Sequence, residues 1–241
     1  MIEISQDTSQ TARSMPLRPF GGDTPTTNLD LILALLIAFG LPWLTLGVLH
    51  WTGGALTSLF IYYVVCGVLL YRWRLGSLDY DRPTRWPWAM FLLGVLLAGA
   101  ITFRNWNAFA DAGAPWWGIW LTAVIWGGVN AALEQFSWLY VLIAWRNRWA
   151  TGWQQKLGLI IGSFLLLTLV TLIHIIFWAE VLPEARQTGA TWLTVPLNTL
   201  LTLTYVVMYF QARSFWPTFL VHFLVDLQIV ILARYSIVPY L

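Results

Sequence analysis

The chain alternates long apolar runs with short polar connections. After a polar stretch over 1–30, mostly apolar segments follow at 31–50, 55–71, 86–103, 116–145, 157–178, 192–210 and 215–233. Most come close to the about 20 residues that a helix needs to cross a hydrocarbon core of about 30 Å. The pattern predicts an all-α fold, a polytopic membrane bundle of about seven transmembrane helices. The fourth segment would measure about 45 Å as a helix, more than a bilayer requires, so it should tilt, break or protrude on one side.

The organisation read from this pattern is a polar N-terminal tail (1–30) followed by a transmembrane domain (31–241). That domain divides into three N-terminal spans (31–103) and a four-helix core (116–233). The tail lacks the basic-then-apolar order of a cleaved signal peptide. Pro16, Pro19 and the Gly21-Gly22 pair break it up, and part of it is expected to be disordered.

Composition narrows the functional classes. The 241 residues are 59% hydrophobic and only 10% charged, with a mean hydropathy of +0.68. A soluble domain carries about 25% charged residues to cover its surface. An ordinary cytosolic enzyme and a disordered protein are therefore excluded. The net charge of +2 provides no basic stripe for phosphates, so no nucleic-acid partner is expected. The bilayer is the partner that this composition demands. The lone cysteine, Cys66, lies inside an apolar run and offers neither a disulfide framework nor a thiol-rich metal site.

Basic residues set the orientation. With the N-terminus in the cytoplasm, the inner segments hold Arg13, Arg18, Arg72, Arg74, Arg82, Arg85, Arg146, Arg148, Lys156 and Arg213. The outer segments hold Arg104, Arg186 and Arg234. Ten against three predicts an integral membrane protein with its N-terminus inside and its C-terminus outside. Many of the 17 tryptophans flank the spans, among them Trp51, Trp73, Trp86, Trp88, Trp116, Trp117, Trp145, Trp178 and Trp192. Indoles favour the headgroup level, and these are expected to form interfacial belts.

Against this apolar background the buried ionisable groups stand out. Of the acids, Glu134 and Asp226 fall well inside predicted spans, as do His174 and His222 among the histidines. Such groups cost about 2.5–3.5 kcal/mol at the centre of a span and persist where they face a cavity or one another. His222 and Asp226 are i and i+4 and share one helix face. Glu134 and His174 are nearly equidistant from the polar connection around residue 154, so a hairpin would bring them to similar depth. His222 starts closer to the cytoplasmic end. The four meet if the fourth segment and the start of the fifth project into the cytoplasm. Each residue alone also has a structural reading, as a helix–helix hydrogen-bonding group.

These residues carry a resemblance. The run Ser214-Phe215-Trp216-Pro217-Thr218-Phe219-Leu220-Val221-His222-Phe223-Leu224-Val225-Asp226 resembles the S-x-W-P-x-x-x-x-H-x-x-x-[N/D] motif of the CPBP family, the CAAX-protease and bacteriocin-processing intramembrane proteases. His174 fits that family's F-x-x-x-H motif with Val170 at the Phe position. Glu134-Gln135-Phe136-Ser137-Trp138-Leu139 aligns with E-E-x-x-x-R, with Gln for the second Glu and Leu for the Arg. The resemblance implies that Glu134 and His174 activate a water, while His222 and Asp226 stabilise the oxyanion. A peptide or a prenylated protein near the cytoplasmic face would be the substrate.

No cofactor is implied. Two histidines and two carboxylates leave zinc as an alternative, although no H-E-x-x-H helix is present. A second functional reading is a non-catalytic scaffold or assembly subunit bound to partner membrane proteins, suggested by Gln135 and Leu139. Pigment or haem ligation by the histidines is a third.

Overall fold

The computed structural model describes residues 20–106, 112–149, 151–181 and 194–240. The described residues are helical, with no strand among them. Seven long helices follow one another. They are α1 (Asn28–Thr52), α2 (Ala55–Leu75), α3 (Trp88–Trp106), α4 (116–146), α5 (Gly152–Val181), α6 (Thr194–Ala212) and α7 (Trp216–Ala233). Five of them, α1, α2, α3, α5 and α7, are long and apolar enough to cross a membrane. Trp192 and Arg186 lie outside the described residues.

The helices begin and end where local chemistry directs. α1 starts three residues before the apolar run, because the Asp30 carboxylate accepts from the Thr27 backbone N–H at 2.7 Å and from its hydroxyl at 2.8 Å. That satisfies a donor that a helix start leaves free. α1 ends at Gly53 (φ 72°), whose N–H donates to the Leu49 carbonyl, a left-handed cap that glycine enters without strain. At the start of α7, Ser214 Oγ accepts from the Trp216 N–H and donates to the Asp81 carbonyl, with Pro217 in the first turn.

α4 is the axis of the bundle. Residues 134–144 are buried without interruption, so the helix is covered on every face, as a central helix must be. It runs unbroken from 116 to 146, with one wide π turn at Thr122–Trp126. α5 follows α4 as an antiparallel neighbour. The hairpin closes tightly because Gly158 and Gly162 lie directly on the Trp145 and Leu142 carbonyls. Further π turns widen α1 at Leu36–Gly40, α2 at Phe60–Leu69 and α5 at Ile173–Trp178.

The connections gather at two ends. At one end Arg146 and Asn147 donate to the Gly22 carbonyl, Thr84 N–H donates to Ala212 O, and Arg213 pairs with Asp23 at 2.5 Å. The sequence reading places residues 20–30 in the tail. In the structure they are a packed strap. Thr26 donates to the Ala144 carbonyl at 2.7 Å, and Asp30 also accepts from Arg74 and Tyr140. Asp79 anchors the strap from the α2–α3 connection. Its carboxylate accepts from the Gly21 N–H and from the Tyr71 and Tyr209 hydroxyls, at 2.6–3.0 Å. At the other end Ala112 and Ala114 donate to the carbonyls of Ala233 and Arg234, and Tyr235 donates to Val181 O.

Candidate functional site

The predicted acids and one histidine converge in the middle of the bundle. Asn130 and Glu134 are one turn apart on α4, and His222 and Asp226 one turn apart on α7. His222 Nε2 lies 3.5 Å from Glu134 Oε2 and 3.6 Å from Asp226 Oδ1. The Asn130 amide bridges the two acids, donating to Glu134 Oε2 at 3.2 Å and Asp226 Oδ2 at 2.9 Å. Gly127, where α4 passes α7, leaves room for Asp226; a Cβ there would touch that of Asp226 at 3.4 Å.

Neighbouring helices complete the shell. Tyr62 of α2 donates to Glu134 Oε1 at 2.7 Å, and Trp178 of α5 donates to the same oxygen at 3.2 Å. Trp138 Nε1 donates to the Tyr62 hydroxyl at 2.9 Å, and Tyr63 donates to Asn130 Oδ1 at 2.5 Å. The Trp138 indole stacks on His222 with centroids 5.3 Å apart, and Tyr205 of α6 lies against the same imidazole at 5.5 Å. A carboxylate taken from water needs such donors to offset its desolvation. Glu134 has three, and is only 1% exposed.

His174 does not join this group. It is exposed, and its Nδ1 is 2.6 Å from the Val170 carbonyl of its own helix. Its ring packs near Trp138, at 6.4 Å, and lies within electrostatic reach of Glu134 and His222 without a hydrogen bond to either. The π turn at Ile173–Trp178 explains the division. It turns His174 outward and aims Trp178, one turn further on, at Glu134. Trp178 therefore departs from the expected interfacial role and is buried at 4%. Trp51, Trp73, Trp88, Trp116 and Trp117 are exposed, as belt residues would be. Gln135 folds its amide onto the Ala131 carbonyl, leaving its Oε1 buried without a partner. Leu139 is buried in the apolar core.

Several members of the shell escaped the sequence reading, which weighed only ionisable side chains. Tyr62, Tyr63, Asn130, Trp138 and Tyr205 are neutral and resemble ordinary packing residues in an apolar run. Asn130 alone carried a usable signal, since it precedes Glu134 by one turn and so shares its face.

Among the described residues, no group of three or more His, Cys, Asp or Glu side chains has an arrangement that could hold a metal ion. Compared with family models, with curated proteins and with solved structures, the chain matches none.

Proposed function

We propose that the chain is an intramembrane hydrolase of the CAAX-protease and bacteriocin-processing type, cleaving a membrane-associated peptide or a prenylated substrate near the cytoplasmic face. The supporting observation is the meeting of Glu134, His222 and Asp226, from two separate helices, within 3.6 Å at the centre of the bundle. On this reading all seven helices cross the bilayer, with the N-terminus inside and the C-terminus outside. Glu134 takes a proton from an attacking water and later returns it to the leaving amine. His222, held by Asp226, faces the developing oxyanion. The reaction needs no metal. Water enters where the Trp138 ring, which lies against both His174 and His222, moves aside.

The decisive experiment measures cleavage by the purified protein in nanodiscs, using a fluorogenic peptide pool with prenylated and unprenylated members. Wild type cleaves, Glu134→Gln does not, and chelators change nothing. An inert wild type would sink the reading.

A second reading has its own observation. Glu134 is 1% exposed, and Leu139 puts an apolar side chain where the family resemblance implies a cation. That favours a non-catalytic scaffold holding partner membrane subunits. In that case Glu134→Gln leaves the cellular phenotype unchanged, while substitution of bilayer-facing residues such as Trp43 or Phe164, exposed at 61% and 65%, releases the partners.

A further inference from the structure

Among the buried groups without a hydrogen-bond partner, two belong to rings that pack on each other at the centre of the bundle. One is His222 Nδ1, on the ring edge away from the nitrogen that faces both acids; the other is the Tyr205 hydroxyl. Tyr205 is 5% exposed, so water does not simply wash over it. A buried hydroxyl left unpaired costs about 1–3 kcal/mol, and such groups call for a ligand or a function. The contrast with Tyr209, one turn along α6, is sharp. The Tyr209 hydroxyl is engaged by both Asp79 and Tyr71, at 2.6 and 2.5 Å. Tyr205 instead lays its ring against His222, tilted by 32°, within electrostatic reach of the Asp226 and Glu134 carboxyls.

We propose that Tyr205 is a catalytic residue, a donor to the substrate's carbonyl oxygen beside His222. This rests on the hydrolase reading above and adds a residue outside the three motifs that suggested it. In the step, a water gives a proton to Glu134 and its oxygen bonds to the carbonyl carbon. The C=O π pair moves onto oxygen, and that oxyanion accepts from Tyr205 O–H. Collapse re-forms C=O and breaks the C–N bond, and the leaving amine takes the proton held by Glu134. The His222 tautomer follows from its neighbours: the carboxyl oxygens facing Nε2 keep the proton there, so Nδ1 is an acceptor and the Tyr205 hydroxyl supplies the donor.

The test uses Tyr205→Phe, which removes one oxygen and nothing that the protein itself uses. Its melting temperature should equal or exceed that of wild type, while kcat on the peptide pool falls about 10²–10³-fold, the usual effect of removing one oxyanion donor, with KM little changed. Tyr209→Phe serves as the comparison, losing melting temperature and keeping its kcat. Tyr205→Phe with wild-type kcat overturns the proposal and leaves the hydrolase reading standing. A marked drop in its melting temperature also overturns it, because the hydroxyl would then have a structural partner. If wild type is inert on the whole pool, the hydrolase reading fails and takes this proposal with it.

Discussion

Glu134 is held by groups that differ in what they would tolerate. Oε1 receives Tyr62 and Trp178, whereas Oε2 receives the Asn130 amide and faces His222. Glu134→Gln keeps an acceptor for the first pair but sets a second amide donor against the Asn130 donor. Beyond its loss of turnover, the variant should therefore lose about 1–3 kcal/mol of stability, the typical effect of an unmatched buried polar group. Thermal denaturation in detergent measures this, and an unchanged melting point would mean that Asn130 can turn over to accommodate it. At this scale the sequence was legible where a charge betrayed it. Glu134, His222 and Asp226 stood out because hydrocarbon tolerates few ionisable groups. His174 stood out equally and lies further out, beyond Trp138, because its placement depends on a turn that the residue types do not announce.

The helices themselves were legible from their apolar length, and all seven begin or end within three residues of the expected limits. The α4–α5 hairpin followed from the polar connection and the excess length of the fourth run. Its closeness did not, because glycine in an apolar run reads as neutral until the facing backbone is known. A Cβ at Gly162 would sit 2.7 Å from the Leu142 carbonyl oxygen, and one at Gly158 would press on that of Trp145. Backbone cannot step aside as a side-chain tip can, so the helices would have to part. Gly158→Val should cost about 1–3 kcal/mol, in the range of overpacked cores. Gly99→Val, at a glycine with nothing within 4 Å, should cost far less. Equal melting points for the two variants would show that the hairpin is loose.

Across the whole molecule, one end carries most of the cations. Arg72, Arg74, Arg82, Arg85, Arg146, Arg148, Lys156 and Arg213 all belong to it, while Arg104 and Arg234 belong to the other. That asymmetry motivates the orientation, which labelling can check. With Cys66 replaced by serine, a cysteine at position 3 should react with an impermeant maleimide only after the cytoplasmic side is opened. Labelling of intact cells would reverse the orientation and place the candidate site near the outer face. The strap over residues 20–30 was the least legible part of the fold. Its polar composition is that of a tail, and its order comes from distant partners, Asp79, Ala144 and Arg74. Local pattern carries no record of these.

The wide turn in α5 carries a consequence for how this chain tolerates insertion and deletion. A π turn holds one residue more than the α turn it replaces. Losing a single codon there would restore ordinary pitch and keep the downstream residues on the same face, whereas the same loss in an ordinary α turn swings them by about 100°. Ile175 is the natural place to try, since it lies within the turn and is 62% exposed. Deleting it should leave the Trp178 indole on Glu134, with melting temperature and turnover close to wild type, whereas deleting the exposed Phe164 from the ordinary helix before it should carry the indole off and lower both. At that position the chain is free in length as well as in identity.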